Sequence, residues 1–170
     1  MPEAHRVLNA LDVDAAGEAL RSACGAERWV SRMLAQRPFA SSAELLELAA
    51  REWSASSTED CLEAFSNHPQ IGEDLGELER RFGSTAALAT GEQAGVRAAD
   101  KAILLALGDA NRVYRERFGF IFIICATGKT ADEMLEALMA RLPNQREAEI
   151  GIAAAEQAKI TRLRLEKLGS

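Results

Sequence analysis

Apolar residues recur every three or four positions through most of the chain, with polar residues between them, which is the period of an amphipathic α-helix. A first helix is predicted over about 14–24, stopped by Gly25, and a second over about 27–36, ending before Pro38. The residues ahead of the first, His5 among them, read as a frayed N-terminus. Ser41-x-x-Glu44 and Ser56-x-x-Glu59 have capping-box spacing and open helices over about 42–54 and 57–66. His68-Pro69 ends the second of these at about Asn67, because a residue before proline avoids the helical conformation. A short charged helix near 75–82 and a loop of Gly, Ser, Thr and Ala lead into a long helix over about 91–117. Thr130-x-x-Glu133 caps another that stops at Pro143, and the last helix covers about 146–168.

Phe118 to Ala126 departs from this pattern. It is aromatic and β-branched, lacks the helical period, and finds no partner strand elsewhere in the chain. We read it as a buried, irregular apolar connector near 118–126, suited to form one wall of a small-molecule pocket. The fold class is therefore all-α, a helical bundle in one domain over 1–170, since no repeat or linker divides the chain.

At 170 residues, with 48% hydrophobic and 27% charged side chains, there is material for one well-buried core. A net charge of -6, with basic residues scattered among acidic ones, argues against a nucleic-acid or anionic-membrane surface. An anionic substrate would need a local cationic pocket. Cys24, Cys61 and Cys125 are far apart and lack C-x-x-C spacing, so neither disulfides nor a zinc cluster is indicated, and no membrane-length or export segment is visible. The cytoplasm is the expected compartment.

Three side chains stand out chemically. His68 is one of two histidines and sits where a helix dipole favours its protonated form and burial opposes it, although His-Pro also simply ends helices. Glu92 heads a stripe of Val96, Ala99, Ile103, Ala106, Leu107, Ala110 and Tyr114 lying within about 60° of its direction. Thr90-x-x-Gln93 already supplies the cap, so Glu92 is either a first-turn charge or a site residue. On the last helix Arg164 falls within the inward arc of Ile160, Leu163 and Leu168, whereas Arg162 lies about 160° away and reads as surface. An inward guanidinium calls for an anion, either a structural carboxylate or a substrate. Gly128-Lys129-Thr130 lacks the earlier glycine of a phosphate loop, and no metal-ligand spacing is present.

Taken in order, Leu8-Asn9-Ala10-Leu11, Arg37-Pro38-Phe39, His68-Pro69-Gln70-Ile71-Gly72-Glu73, Glu92-Gln93-Ala94-Gly95, the 118–126 stretch, Gly128-Lys129-Thr130, Arg141, Asn144, Glu147, Glu156 and the run from Lys159 to Leu165 resemble the 2-oxo-4-hydroxy-4-carboxy-5-ureidoimidazoline (OHCU) decarboxylase family. The resemblance covers nearly the whole chain. It implies an all-helical, commonly homodimeric enzyme of urate breakdown that acts on a small anionic substrate without metal or organic cofactor, with the upstream hydrolase as a further partner. It implies His68 and Glu92 as catalytic residues and Arg164 as a substrate-binding residue. Pro69, Thr90, Gln93, Ile121, Phe122 and Ile123 complete the expected ligand contacts. Many members carry a serine where this chain has Ala89, leaving Thr90 to supply a hydroxyl. Two other readings use the same residues: a related cofactor-free enzyme for another ureido or hydroxy acid, and a non-catalytic helical interaction module.

Overall fold

The computed structural model describes residues 3–68 and 93–170, with side chains in the second stretch from Lys101 onward. Among these residues there are eight helices and no strand: α1 (Ala4–Ala10), α2 (Val13–Ala23), α3 (Glu27–Ala35), α4 (Ser42–Ser54), α5 (Thr58–Ser66), α6 (Gln93–Phe118), α7 (Ala131–Arg141) and α8 (Arg146–Lys167). The all-α class is as read from the periodicity. The charged helix expected near 75–82, and the loop after it, lie outside the described residues.

The caps explain most boundaries. Ser41 Oγ accepts the Glu44 N–H at 3.0 Å, and Thr130 with Glu133 forms a reciprocal capping box. At α5 the box sits one residue later than expected. Ser57 and Asp60 bond reciprocally, while the Ser56 hydroxyl donates back to the Glu52 carbonyl. An aspartate therefore fills the position where the spacing rule looked for a glutamate.

The N-terminus is a helix, not a frayed end. α1 has no side-chain cap and only seven residues, so its stability comes from packing on α2 and α4. His5 is buried within it, with Nδ1 3.1 Å from the Ser42 hydroxyl. Asn9 brackets Phe39, donating to its carbonyl at 2.8 Å and accepting its N–H at 2.9 Å. Arg37 donates to the Asn9 and Leu11 carbonyls, the electronegative end of α1.

Two compact units partition the chain. The first takes in α1 to α5 and α8 from Ile150 onward. In it α2 packs on α3, and α3 on α4 and α5, around fully buried Leu8, Leu20, Trp29, Met33, Leu45 and Phe65. The Trp29 indole donates to the Ala49 carbonyl at 3.1 Å and Trp53 to Ala154 at 2.9 Å, so neither aromatic buries an unsatisfied N–H.

The second unit takes in α6, the connector, α7 and the first turn of α8 through Glu149. α6 packs on α7 and turns Leu104, Leu107, Ala110, Tyr114 and Phe118 inward. Ala106, expected on that face, is exposed, and Ile103 is half-buried. The buried arc is rotated by about 60° from the one counted from Glu92. Gly119, at φ +80°, ends α6 in the left-handed region that a Cβ disfavours. The connector then runs extended with Phe120, Phe122, Ile123 and Ile124 buried, as its composition implied.

A carboxylate holds this unit together. Glu149, wholly buried, accepts from the Arg141 Nε–H at 2.6 Å, from the Asn144 amide at 3.0 Å, and from the Tyr114 hydroxyl. Arg141 also donates to the Ile123 carbonyl at 2.8 Å and lies 4.5 Å from the Phe122 ring centre. Burial, reinforced by the bond to Glu149, pushes the Tyr114 phenol well above its usual range. No helix among the described residues is long and apolar enough to cross a membrane. Because removing one partner of a buried ion pair strands the other charge, Arg141→Leu should lower stability by about 3–5 kcal/mol in urea unfolding. A loss below about 1 kcal/mol, the scale of a surface pair, would contradict this role.

Candidate active site

α2 ends at Ala23, and the chain turns through Cys24 and Gly25 into α3. The last carbonyls of a helix have no partner within it and carry its partial negative charge. Here three side chains meet the carbonyls of the corner. Arg164 donates to Ser22 at 3.0 Å, the Thr161 hydroxyl to Ala23 at 3.3 Å, and the Asn67 amide to Gly25 at 2.8 Å. The first two come from α8, and Asn67 is the C-cap of α5. Gly25 is needed for space: a Cβ there would stand 2.6 Å from the Asn67 Cβ. It is not among the positive-φ glycines, so it differs from the left-handed stop that helix-ending glycines suggest.

Asn67 delivers the next residue, His68, whose N–H donates to the Phe65 carbonyl at 3.3 Å. Its Nε2 meets the side-chain oxygen of Gln157, and the Gln157 amide donates to Thr161 Oγ1 at 3.0 Å. Gln157 and Thr161 are both buried. Of the opposed influences read from the sequence, burial prevails and holds the imidazole below its usual pKa. The bond to Gln157 works the other way, and nearby Arg164 adds to the lowering. His68 is thus mostly neutral near pH 7 and able to take a proton.

Arg164 is half-buried, and burial lowers its pKa without threatening its charge. Among the described residues no carboxylate pairs with it, so the structural counter-ion envisaged for it is not among them. Arg162 is exposed and pairs with Glu166 at 3.0 Å, as its position on the wheel implied. Cys24 lies buried at the same corner, where burial pushes its thiol up to about 11 and leaves it a poor nucleophile.

Of the residues singled out from the sequence, His68 and Arg164 both lie in the first unit, His68 reaching the α2–α3 corner through Gln157 and Thr161 and Arg164 reaching it through the Ser22 carbonyl. Ile121, Phe122 and Ile123 belong to the second unit, where the Ile123 carbonyl is tied to Arg141. Gln93 opens α6. Pro69, Ala89, Thr90 and Glu92 lie outside the described residues. Gln157 and Thr161 were missed. The fully inward line of α8 is Ala153, Gln157, Thr161 and Leu165, with Ile160, Leu163 and Leu168 half-buried beside it. A wheel built from apolar residues alone cannot see polar ones, although the four-residue spacing from Ala153 to Leu165 carried the signal.

A lowered native pKa makes the unfolded chain bind more protons between that value and the ordinary 6.5. The His68 contribution therefore leaves stability intact above pH 6.5 and erodes it as pH falls through 6.5 toward the native pKa. In an NMR titration, with His68→Ala separating its signal from that of His5, His68 should titrate below 6.5, and Arg164→Gln should move it upward. A midpoint at or above 6.5 in the unaltered protein would contradict the assignment of burial as the dominant effect.

Comparison with known proteins bears on what this corner serves. The chain is 39% identical over 161 residues to the uric acid degradation bifunctional protein TTL of Arabidopsis thaliana, covering 86% of this chain and 45% of that protein. It spans less than half the length of that relative. It is 30% identical to the OHCU decarboxylase of Haloferax volcanii, covering 93% of this chain and 91% of that one. A crystal structure of OHCU decarboxylase in the presence of (S)-allantoin superimposes with a TM-score of 0.67 at 34% identity, over 87% of this chain and 94% of the other. The family profile described as OHCU decarboxylase matches residues 9–166, and the chain belongs to that family.

Proposed function

We propose that this chain decarboxylates OHCU to (S)-allantoin and carbon dioxide in urate breakdown, without metal or organic cofactor. The observation that carries the reading is a half-buried Arg164, without a carboxylate partner among the described residues, at the same α2–α3 corner that half-buried His68 reaches through Gln157 and Thr161. Family membership supplies the substrate class. The relative crystallised in the presence of (S)-allantoin supplies the product.

The residue types suit the chemistry. When carbon dioxide leaves a carbon next to an imine, the electron pair of the broken carbon–carbon bond passes into the conjugated ring, and a proton must then reach one face. Arg164 holds a ring carbonyl or anionic group, and His68 transfers the proton. In this reading Glu92 orients the imidazole or the substrate hydroxyl. Pro69, Thr90, Gln93 and the 121–123 stretch complete the ligand contacts. The chain acts in the cytoplasm as a homodimer, beside the hydrolase that forms its unstable substrate. The bifunctional naming of a relative more than twice as long supports such a coupling of activities.

Circular dichroism during urate oxidation, coupled to that hydrolase, tests the proposal. Adding the protein should speed the growth of the (S)-allantoin signal. His68→Ala should cut that rate by roughly 10²-fold or more while keeping the helical spectrum. A trace that follows spontaneous decay to racemic allantoin rejects this substrate, and an active His68→Ala variant rejects the site.

A further inference from the structure

Hydrogen-bond direction along the chain from Ala23 to His68 follows from its carbonyl end. The Thr161 hydroxyl meets both the Ala23 carbonyl, at 3.3 Å, and the Cys24 thiol; the buried carbonyl can only accept and is the stronger acceptor, so the single hydroxyl proton points to it and the thiol is left to donate. Thr161 Oγ1 must then accept from Gln157, whose NH2 group stands 3.0 Å from it. That orients the amide, turning its carbonyl oxygen toward His68 Nε2. An oxygen that can only accept requires a proton on Nε2. The reversed amide would give the opposite tautomer, but it would take from the buried Ala23 carbonyl its donor among the described residues.

We propose that Gln157 is a positioning residue that locks neutral His68 with its proton on Nε2, leaving Nδ1 as the atom that takes and returns the proton in turnover. A helix-end carbonyl thereby sets the working nitrogen of the imidazole through two intervening side chains. Arg164 is the charged group facing His68 among the described residues, and it acts on the ease of protonation without choosing between the two nitrogens. The catalytic part of this inference rests on the decarboxylase reading, whereas the tautomer does not.

Nitrogen-15 NMR of the full chain, labelled at its two histidines, reads the tautomer directly. Above the His68 titration, the unaltered protein should show a protonated Nε2 and an unprotonated Nδ1. Gln157→Leu or Thr161→Val should convert this to a mixture, and the pair guards against one variant failing to fold. A protonated Nδ1 in the unaltered protein, or a spectrum unmoved in both variants, overturns the lock. In the decarboxylation assay Gln157→Leu should lower kcat roughly 10- to 100-fold, the scale on which a working histidine suffers when its orienting partner is removed, with KM little changed. Gln157→Glu, which can only accept, should recover much of kcat and move the acid limb of the pH profile upward. An unchanged kcat in Gln157→Leu overturns the positioning role even if the spectrum changes. A protein with no decarboxylation but the expected spectrum refutes the reaction and keeps the lock.

Discussion

Carbonyl groups at the end of a helix must find donors outside it when they are buried. At the corner between α2 and α3 the buried carbonyls of Ala23 and Gly25 find theirs in Thr161 and Asn67, and the exposed Ser22 carbonyl takes Arg164. The same three residues frame the proposed site. Asn67 precedes His68, Thr161 bonds the amide that meets the imidazole, and the Arg164 charge acts on His68 to lower its pKa. Backbone satisfaction and the geometry of the proposed site thus share these residues. Gly25 is part of it, because the approach of Asn67 leaves no room for a side chain there.

The second unit solves a parallel problem. An apolar connector brings backbone into a core with no strand beside it among the described residues, and Arg141 supplies a donor for the Ile123 carbonyl. That guanidinium is balanced by Glu149, which also gathers Tyr114 and Asn144. Such a network adds less net stability than its hydrogen bonds suggest, because two charges have been desolvated. It ties the connector to α7 and α8 through the Ile123 carbonyl, and the tilted and edge-on rings of Tyr114, Phe118 and Phe122 pack around it.

Much of this was legible in the sequence, and the failures share a cause. Helices with a side-chain cap or a proline beyond their end were placed within a residue or two, because those signals act locally. α1 went unseen because it has no cap and is held by tertiary packing. The stripe on α6 was counted from Glu92 rather than from the residues that meet α7, which left Ala106 on the wrong side. The inward turn of Arg164 was legible because a charge within an apolar arc is conspicuous. Gln157 and Thr161 were not, because their burial depends on carbonyls contributed by a corner more than a hundred residues away in the chain.

The functional reading thus narrows to whether His68 and Arg164 act on one ligand. A crystal structure of the protein with (S)-allantoin decides it most directly. The predicted result is allantoin within hydrogen-bonding distance of both the His68 imidazole and the Arg164 guanidinium, with the Gln157 bond intact. Allantoin bound elsewhere, with neither side chain touching it, would contradict the site proposed for this chain.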